Sequence, residues 1–165
     1  MKVGFIGCGG FSAGNHIPNT AKNPNLEIAA LCDLNTTQLD DLKATFNPGY
    51  VTTDFMDIFK DPEIQMVVCG TKPDFRIPIM KAAVEHGKHL FVEKPLCFDD
   101  DEIPAMLAVM KDAPIKFMVG FNRPYSPMMR DVKPIFNANK GGNTTIIYRI
   151  IGEARLWPKH HYDAV

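Results

Sequence analysis

The chain has 165 residues, of which 45% are hydrophobic and 22% are charged, and its formal net charge is −1 at pH 7. This length predicts one main globular domain. The 18 basic and 19 acidic side chains form no long block of like charge, so we expect no binding to nucleic acid or to an anionic membrane surface. No stretch reaches the ~20 apolar residues of a membrane span.

The first predicted element is a strand, the apolar run at residues 3–6, and it leads into a cluster of three glycines, Gly7, Gly9 and Gly10. Gly7 allows the chain to turn sharply off the strand. Gly9 allows the main chain to approach a diphosphate, and the N-terminus of a following helix would face its negative charge. Ser12 occupies the third glycine position of the pattern G-x-G-x-x-G, where a small residue suffices.

A second apolar run, residues 28–32, predicts the next strand, and it ends on Asp33. The separation of this acid from Gly7 is a little more than the usual spacing of about 20 residues. At this place a carboxylate can accept both ribose hydroxyls of an adenosine and repel a 2′-phosphate. The stretch therefore predicts a dinucleotide site, and the alternative interpretation is a strand-to-helix turn without a ligand.

The rest of the chain continues to alternate between helix and strand signals. Helices are predicted at 35–46, 55–59, 74–86, 99–111 and 126–139, and strands at 50–52, 66–69, 90–92, 115–119 and 144–151. Strands that alternate with helices predict an α/β fold, a Rossmann-type doubly wound parallel sheet with its ligand crevice at the carboxyl ends of the strands.

The last predicted strand, 144–151, follows a complete sheet and has no later strand to pair with. We therefore expect residues 1–123 to form an NAD(P)-binding domain and residues 124–165 to supply a crossover helix and the first strand of an incomplete C-terminal α/β domain. An unpaired apolar strand also makes a homo-oligomer through 144–151 an expected form of association.

Four cysteines, at positions 8, 32, 69 and 97, include no C-x-x-C pair, and three of them close or follow apolar runs. This pattern favours buried, reduced thiols over a metal site and is consistent with a cytoplasmic protein. His160 and His161 are adjacent and lack a third ligand at suitable spacing, so a surface position is favoured for both.

Several of these residues together resemble the Gfo/Idh/MocA oxidoreductases. The resemblance rests on GCGGF near the start, on Asp33, on Glu93-Lys94-Pro95 after the fifth strand and on the sequence GFNR that ends at Arg123. It covers residues 3 to about 151. It implies NAD(P)-dependent oxidation or reduction of a sugar, a cyclitol or a related polyol, and a larger C-terminal domain that completes the catalytic site. We therefore expect this chain by itself to bind the cofactor but to be catalytically incomplete.

The resemblance also assigns roles to individual positions. The residues expected to bind the cofactor are Gly7, Gly9, Gly10, Phe11, Ser12, Asp33, Thr71, Pro73, Glu93, Lys94, Asn122 and Arg123. Glu93 and Lys94 are also the expected catalytic residues, and the Lys94–Pro95 bond is commonly cis in the family. No metal ligand is implied.

The residues themselves support a role for Lys94, because an amine at the carboxyl end of a strand can donate a hydrogen bond to a substrate oxygen. Glu93 would orient Lys94 or keep it charged. The alternative is a solvated loop pair that contributes less than about 1 kcal/mol. His16 is favoured as a packing or surface histidine, and Arg123 is equally consistent with ligand contact and with a simple ion pair.

The residues after Asp33 favour NAD over NADP as the cofactor, because none of the next several is an Arg or a Lys that could bind a 2′-phosphate. Two other functions fit parts of the sequence. A non-catalytic NAD(H)-binding or subunit-interaction module is the main alternative. A methyltransferase that uses S-adenosylmethionine also has a glycine turn and an acid after the second strand, but Glu93-Lys94-Pro95 speaks against it.

Overall fold

The computed structural model describes residues 1–138 and contains one sheet of six strands. The strands are β1 (Lys2–Ile6), β2 (Glu27–Cys32), β3 (Tyr50–Thr52), β4 (Met66–Cys69), β5 (His89–Val92) and β6 (Phe117–Val119). Their order across the sheet is β3-β2-β1-β4-β5-β6, and every neighbouring pair is parallel. The strand order reverses between β1 and β4, which is where sheets of this type bind ligands. The predicted doubly wound parallel sheet is confirmed.

Helices connect the strands, as parallel neighbours require. The helices are α1 (Ile17–Ala21), α2 (Thr36–Phe46), α3 (Phe55–Lys60), α4 (Arg76–Glu85), α5 (Ile103–Met110) and α6 (Pro127–Ala138). A π-helical turn, Ser12–His16, precedes α1, and 3₁₀ turns at Pro73–Phe75 and Asp100–Glu102 precede α4 and α5. The helices predicted at 74–86 and 99–111 therefore each begin with a 3₁₀ turn.

Helix α2 illustrates how local sequence sets the bounds of an element. The side chain of Asn35 accepts a hydrogen bond from the Gln38 N–H at 3.1 Å, which satisfies one free donor of the first turn. The helix stops after Phe46 because the next residue, Asn47, has a left-handed φ of 45°, a conformation that Asn tolerates better than most residues. The predicted helix 35–46 is confirmed.

Buried apolar side chains form two clusters that alternate along the strands. On β1, Val3 and Phe5 belong to one cluster and Ile6 to the other, and on β4, Val67 and Val68 divide in the same way. Because successive side chains of a strand point to opposite faces, the two clusters lie on the two faces of the sheet. Each face is therefore buried, as the continuous apolar strands predict.

The chain divides into two compact units, Met1–Asn122 and a second that begins at Arg123. In the second unit the structure describes a 3₁₀ turn, Arg123–Tyr125, and helix α6. The predicted strand 144–151, the association expected through it, and His160 and His161 lie outside the described residues. Within residues 1–138, no helix is both long enough and apolar enough to cross a membrane.

Candidate functional site

The parallel hydrogen-bond ladder continues one residue beyond the carboxyl end of several strands, and this fixes predicted site residues along one edge of the sheet. Gly7 N–H donates to Cys32 O at 2.9 Å, and Glu93 N–H donates to Cys69 O at 2.9 Å. Asp33 N–H donates to Thr52 O at 3.3 Å. The structure thus brings the glycine turn, the acid after β2 and the Glu93-Lys94 motif to the same edge.

The glycine turn after β1 contains two kinds of glycine. Gly7 has a φ of 84°, and a Cβ on it would lie 2.7 Å from the Thr71 backbone nitrogen, so this position requires glycine for its conformation and for its close approach to the loop after β4. At Gly9 and Gly10 an added Cβ would meet nothing within 4 Å. Nothing in the described part of the chain therefore excludes a side chain at these two positions, and the space above them is open.

The segment after the turn begins with an exposed residue, Phe11, and a π-helical turn. Ile17 N–H donates to Ser12 O, and Pro18, the next residue, has no N–H for the regular α-helical ladder. Among the described residues no side chain caps the start of this turn, and Ala13 N–H donates to Gly9 O at 2.9 Å, so an anion would be bound by the N–H groups that precede Ala13. Ser12 is buried, and its Oγ would contact a Cβ on Gly70, which explains why both residues are small.

Asp33 is joined to the glycine turn by its side chain. Its Oδ2 accepts a hydrogen bond from Cys8 N–H at 2.7 Å, and its Oδ1 accepts one from Asn35 N–H at 2.9 Å. The carboxylate is partly exposed, and no ion pair joins it to Lys, Arg or His within residues 1–138. Its remaining lone pairs can therefore accept hydroxyl groups beside the turn.

The loop after β4 carries Thr71 and Pro73. Thr71 Oγ1 lies 3.2 Å from Cys69 Sγ and donates to Lys72 O at 3.2 Å, while Pro73 is buried and begins a 3₁₀ turn. The side chain of Arg76, the first residue of α4, also reaches this loop. The loop is therefore held by side chains from both of its ends.

At the end of β5, Glu93 forms its closest side-chain contact with His16. Glu93 Oε1 lies 2.7 Å from His16 Nε2, and Glu93 Oε2 accepts a hydrogen bond from Lys94 N–H at 3.1 Å. The Lys94–Pro95 peptide bond is cis, as the resemblance implies. Glu93 thus contacts Lys94 through the backbone amide. The Lys94 amine is exposed and forms no ion pair in the described part of the chain.

The two residues expected to bind after β6 fall in different units. Asn122 is the last residue of the first unit and Arg123 is the first residue of the second, and both are exposed. Within residues 1–138 neither side chain forms a hydrogen bond, so the structure supplies no contact that would assign a role to either.

Two side chains of this edge, those of His16 and Arg76, make contacts that the sequence does not predict. His16 is favoured from sequence as a packing or surface residue, and its ring does pack edge-on against Phe11 and Phe91, each at 5.3 Å between ring centroids. Its bond to Glu93 joins residues 77 positions apart, which no local pattern reveals. Arg76 is buried at the carboxyl end of the sheet, and the sequence indicates this only through the four apolar residues, IPIM, that follow it in the helix.

Two buried cysteines near the site, Cys8 and Cys32, are neutral thiols at pH 7. Burial raises the pKa of Cys8 to about 12 and that of Cys32 to about 12, and the negative charge of Asp33 adds to both shifts. The structure records free cysteines at all four positions, with Cys97 only partly buried. Among residues 1–138 no group of three His, Cys, Asp or Glu side chains is arranged to hold a metal ion.

The strand order, the glycine turn and the acid after β2 together define a nucleotide-binding Rossmann domain. Residues 1–121 match the model of the GFO/IDH/MocA family, described as an oxidoreductase family with an NAD-binding Rossmann fold. The chain therefore belongs to this family.

Named relatives of the chain include dehydrogenases of cyclitols. It is 28% identical over 167 residues to the inositol 2-dehydrogenase/D-chiro-inositol 3-dehydrogenase of Lactiplantibacillus plantarum, covering 98% of this chain and 44% of that protein. It is also 28% identical over 147 residues to the uncharacterized oxidoreductase YrbE of Bacillus subtilis, covering 89% of this chain and 43% of that protein.

Among solved structures, the chain resembles scyllo-inositol dehydrogenase from Lactobacillus casei with bound NAD(H) and scyllo-inositol. The TM-score is 0.78 with 27% sequence identity, over 85% of this chain and 42% of that one. The chain thus spans less than half the length of each of these three proteins.

Proposed function

We propose that this chain binds NAD at the carboxyl edge of its sheet and serves hydride transfer between that cofactor and a cyclitol or related polyol. The observation that carries the proposal is the open space above Gly9 and Gly10. The described protein needs no glycine at either position, so a ligand that approaches the main chain closely accounts for both.

The residues of the edge fit the two halves of a dinucleotide. The uncapped N–H groups after Gly10 would bind the diphosphate, and Asp33 would accept the adenosine ribose hydroxyls. Thr71 and Pro73 would line the nicotinamide ribose, and Glu93 and Lys94 would lie at the reacting end. Bound NAD supplies the hydride acceptor, and the protein supplies the orientation of the two reactants.

The choice of NAD over NADP follows from Asp33. Its carboxylate is fixed by two backbone amides beside the turn and has no basic neighbour within ion-pair distance in the described part of the chain. A 2′-phosphate at the same place would be repelled, because two like charges would be brought together without a compensating cation.

Lys94 is the residue that we propose for handling the substrate oxygen. Its amine is exposed and unpaired within residues 1–138, at the end of the strand where the substrate would meet the nicotinamide. There it would donate a hydrogen bond that strengthens as negative charge develops on that oxygen. A cyclitol substrate is supported by the similarity of the chain to inositol dehydrogenases.

The decisive experiment compares Gly9→Val with Gly14→Val. A Cβ at Gly14 also meets nothing within 4 Å, but this residue lies further along the π-helical turn and serves as the matched control. We expect Gly9→Val to keep the free energy of unfolding within about 0.5 kcal/mol of wild type, because neither site is crowded. We expect it to weaken NADH binding at least about tenfold in titration calorimetry. Equal NADH affinity in the two variants would refute the proposed site.

The role of Lys94 is tested separately with Lys94→Met. NADH formation from NAD is followed by absorbance with myo-inositol and scyllo-inositol as substrates. The assay uses the protein together with the C-terminal domain that the family implies, because this chain alone is expected to be catalytically incomplete. Turnover should fall by about 10²- to 10⁴-fold, the usual contribution of a positioned proton donor or acceptor, and NADH affinity should fall far less. An unchanged rate would exclude Lys94 from the reaction.

A further inference from the structure

Arg76 is a buried cation without a matching anion. Only 1% of its surface is exposed, and within residues 1–138 no carboxylate lies at ion-pair distance from it. Its Nε has no hydrogen-bond partner in the same part of the chain. A buried charge without an opposite charge is costly, so a fold that retains one here suggests a task that a neutral side chain does not perform.

The guanidinium connects the ends of two neighbouring strands. Its Nη2 donates to the backbone carbonyl of Glu93 at 2.9 Å. Its Nη1 donates to Cys69 Sγ at 2.9 Å and to Thr71 Oγ1 at 3.2 Å. One planar group therefore reaches the loop after β4 with one nitrogen and the Glu93-Lys94 motif after β5 with the other.

We propose that Arg76 is a positioning residue that sets the separation between these two loops and thereby shapes the pocket for the nicotinamide half of the cofactor. This inference rests on the proposed function, since it assumes that the dinucleotide lies along this edge. Arg76 itself touches neither cofactor nor substrate in the proposal, and it acts through Thr71 and Glu93.

Arginine suits this task because its donors are fixed in one plane. The distance between Nη1 and Nη2 is set by covalent geometry, so two loops that bond to both nitrogens are held in a fixed relation. A lysine would carry the same charge on a single nitrogen at the end of a flexible stem. It could bond to either loop but could not hold both in the same way.

The two halves of the cofactor should respond differently to loss of Arg76. The adenosine half would be bound by the glycine turn and Asp33, and none of the hydrogen bonds of Arg76 reaches either of them. The nicotinamide half would be bound by the two loops that Arg76 joins. A positioning role therefore predicts selective loss of nicotinamide affinity, whereas a purely structural role predicts parallel loss of both.

The experiment measures the dissociation constants of NADH and of ADP, which lacks the nicotinamide riboside, for wild type, Arg76→Met and Arg76→Lys. The matched control is Lys88→Met. Lys88 is another buried cation, 6% exposed, and within residues 1–138 its Nζ donates only to backbone carbonyls, those of Asp61 at 2.6 Å and Ile64 at 2.7 Å. It lies just before β5, at the opposite end of the sheet.

We expect Arg76→Met to weaken NADH about tenfold and to change ADP affinity by less than about twofold. Arg76→Lys should also weaken NADH about tenfold and change ADP affinity by less than about twofold. It takes the place of Arg76→Met in the comparison if the methionine variant does not fold. Lys88→Met should leave the ratio of the two dissociation constants unchanged.

Two results would overturn the inference. Wild-type NADH affinity in both Arg76 variants would do so, and so would a parallel loss of NADH and ADP. Either result leaves the proposed function intact as long as the wild-type chain binds NADH. Failure of the wild-type chain to bind NADH or ADP would instead refute the proposed function itself.

Discussion

The Asp33 carboxylate accepts a hydrogen bond from the glycine turn and is partly exposed beside it. We predict that Asp33→Ala weakens NAD binding by about 1.5–3 kcal/mol, the range for hydrogen bonds to a charged group. The same change should narrow the difference between NAD and NADP, since it removes the charge that repels a 2′-phosphate. Titration calorimetry with both cofactors measures both effects.

Asp33→Asn is the control for the structural part of this effect. An amide oxygen can still accept the hydrogen bond from Cys8 N–H, so the turn should stay in place while the negative charge and the hydrogen bond from Asn35 N–H are lost. If Asp33→Ala binds NAD as tightly as wild type, the ribose assignment is wrong. If only the alanine variant is weakened, the turn rather than the charge is responsible.

The positions of single residues at this edge of the sheet were predictable where they depend on local spacing, whereas their roles stay predictions. The glycines and Asp33 follow from a strand, a turn and a second strand read in order. The contacts of His16 with Glu93, and of Arg76 with Glu93 and Cys69, depend on which strands become neighbours. That information is carried by the fold as a whole, and single-residue patterns do not contain it.

Among the helices, α2 offers a clean test of its N-terminal cap. We predict that Asn35→Ala lowers the free energy of unfolding by about 1 kcal/mol, because the Gln38 N–H loses its side-chain partner. Urea denaturation followed by circular dichroism measures the change. Asn35→Ser restores an acceptor of similar reach and should recover most of the loss, and a full loss in the serine variant would contradict the capping role.

Asn35→Ala should leave the proposed cofactor site largely unaffected. Asp33 Oδ1 accepts its hydrogen bond from the backbone N–H of Asn35, which the substitution retains. NADH affinity is therefore expected to stay within about twofold of wild type. The comparison separates the stability of α2 from the position of Asp33.

The sequence predicts which segments form helices and strands better than it predicts the turns with which the helices begin. The strands at 50–52 and 66–69 and the helix at 35–46 agree with the structure, since alternation, capping and stop signals all act locally. The π-helical turn Ser12–His16 was not predicted. Its register depends on Pro18 and on the packing of Ser12 against Gly70, and a glycine-rich pattern alone does not indicate either.

Two buried thiols, one on each face of the sheet, make the free energy of unfolding decrease at alkaline pH. Cys8 belongs to one apolar cluster and Cys32 to the other, and both have a pKa of about 12 against an ordinary value of 9.0. Between these values the unfolded chain loses protons that the native chain keeps. The stabilising contribution is complete below pH 9 and is lost as pH rises toward 12.

We therefore predict that the free energy of unfolding falls as pH rises above 9, by up to roughly 1.4 kcal/mol per pH unit for each thiol. Urea denaturation at a series of pH values from 8 to about 10.5 measures the slope. The double variant Cys8→Ala, Cys32→Ala should flatten it, although part of the slope will remain because burial also raises the pKa of Tyr50 to about 12. An equally steep slope in the double variant would contradict the prediction.

The hydrogen bond from Cys8 N–H to Asp33 Oδ2 has a consequence for the kinetics of ligand capture. It joins the loops after two adjacent strands, β1 and β2, before any ligand arrives, so the end of the proposed pocket that we assign to adenosine is preorganised. Little conformational entropy is then lost on that side during association, and the encounter should be governed mainly by diffusion and orientation.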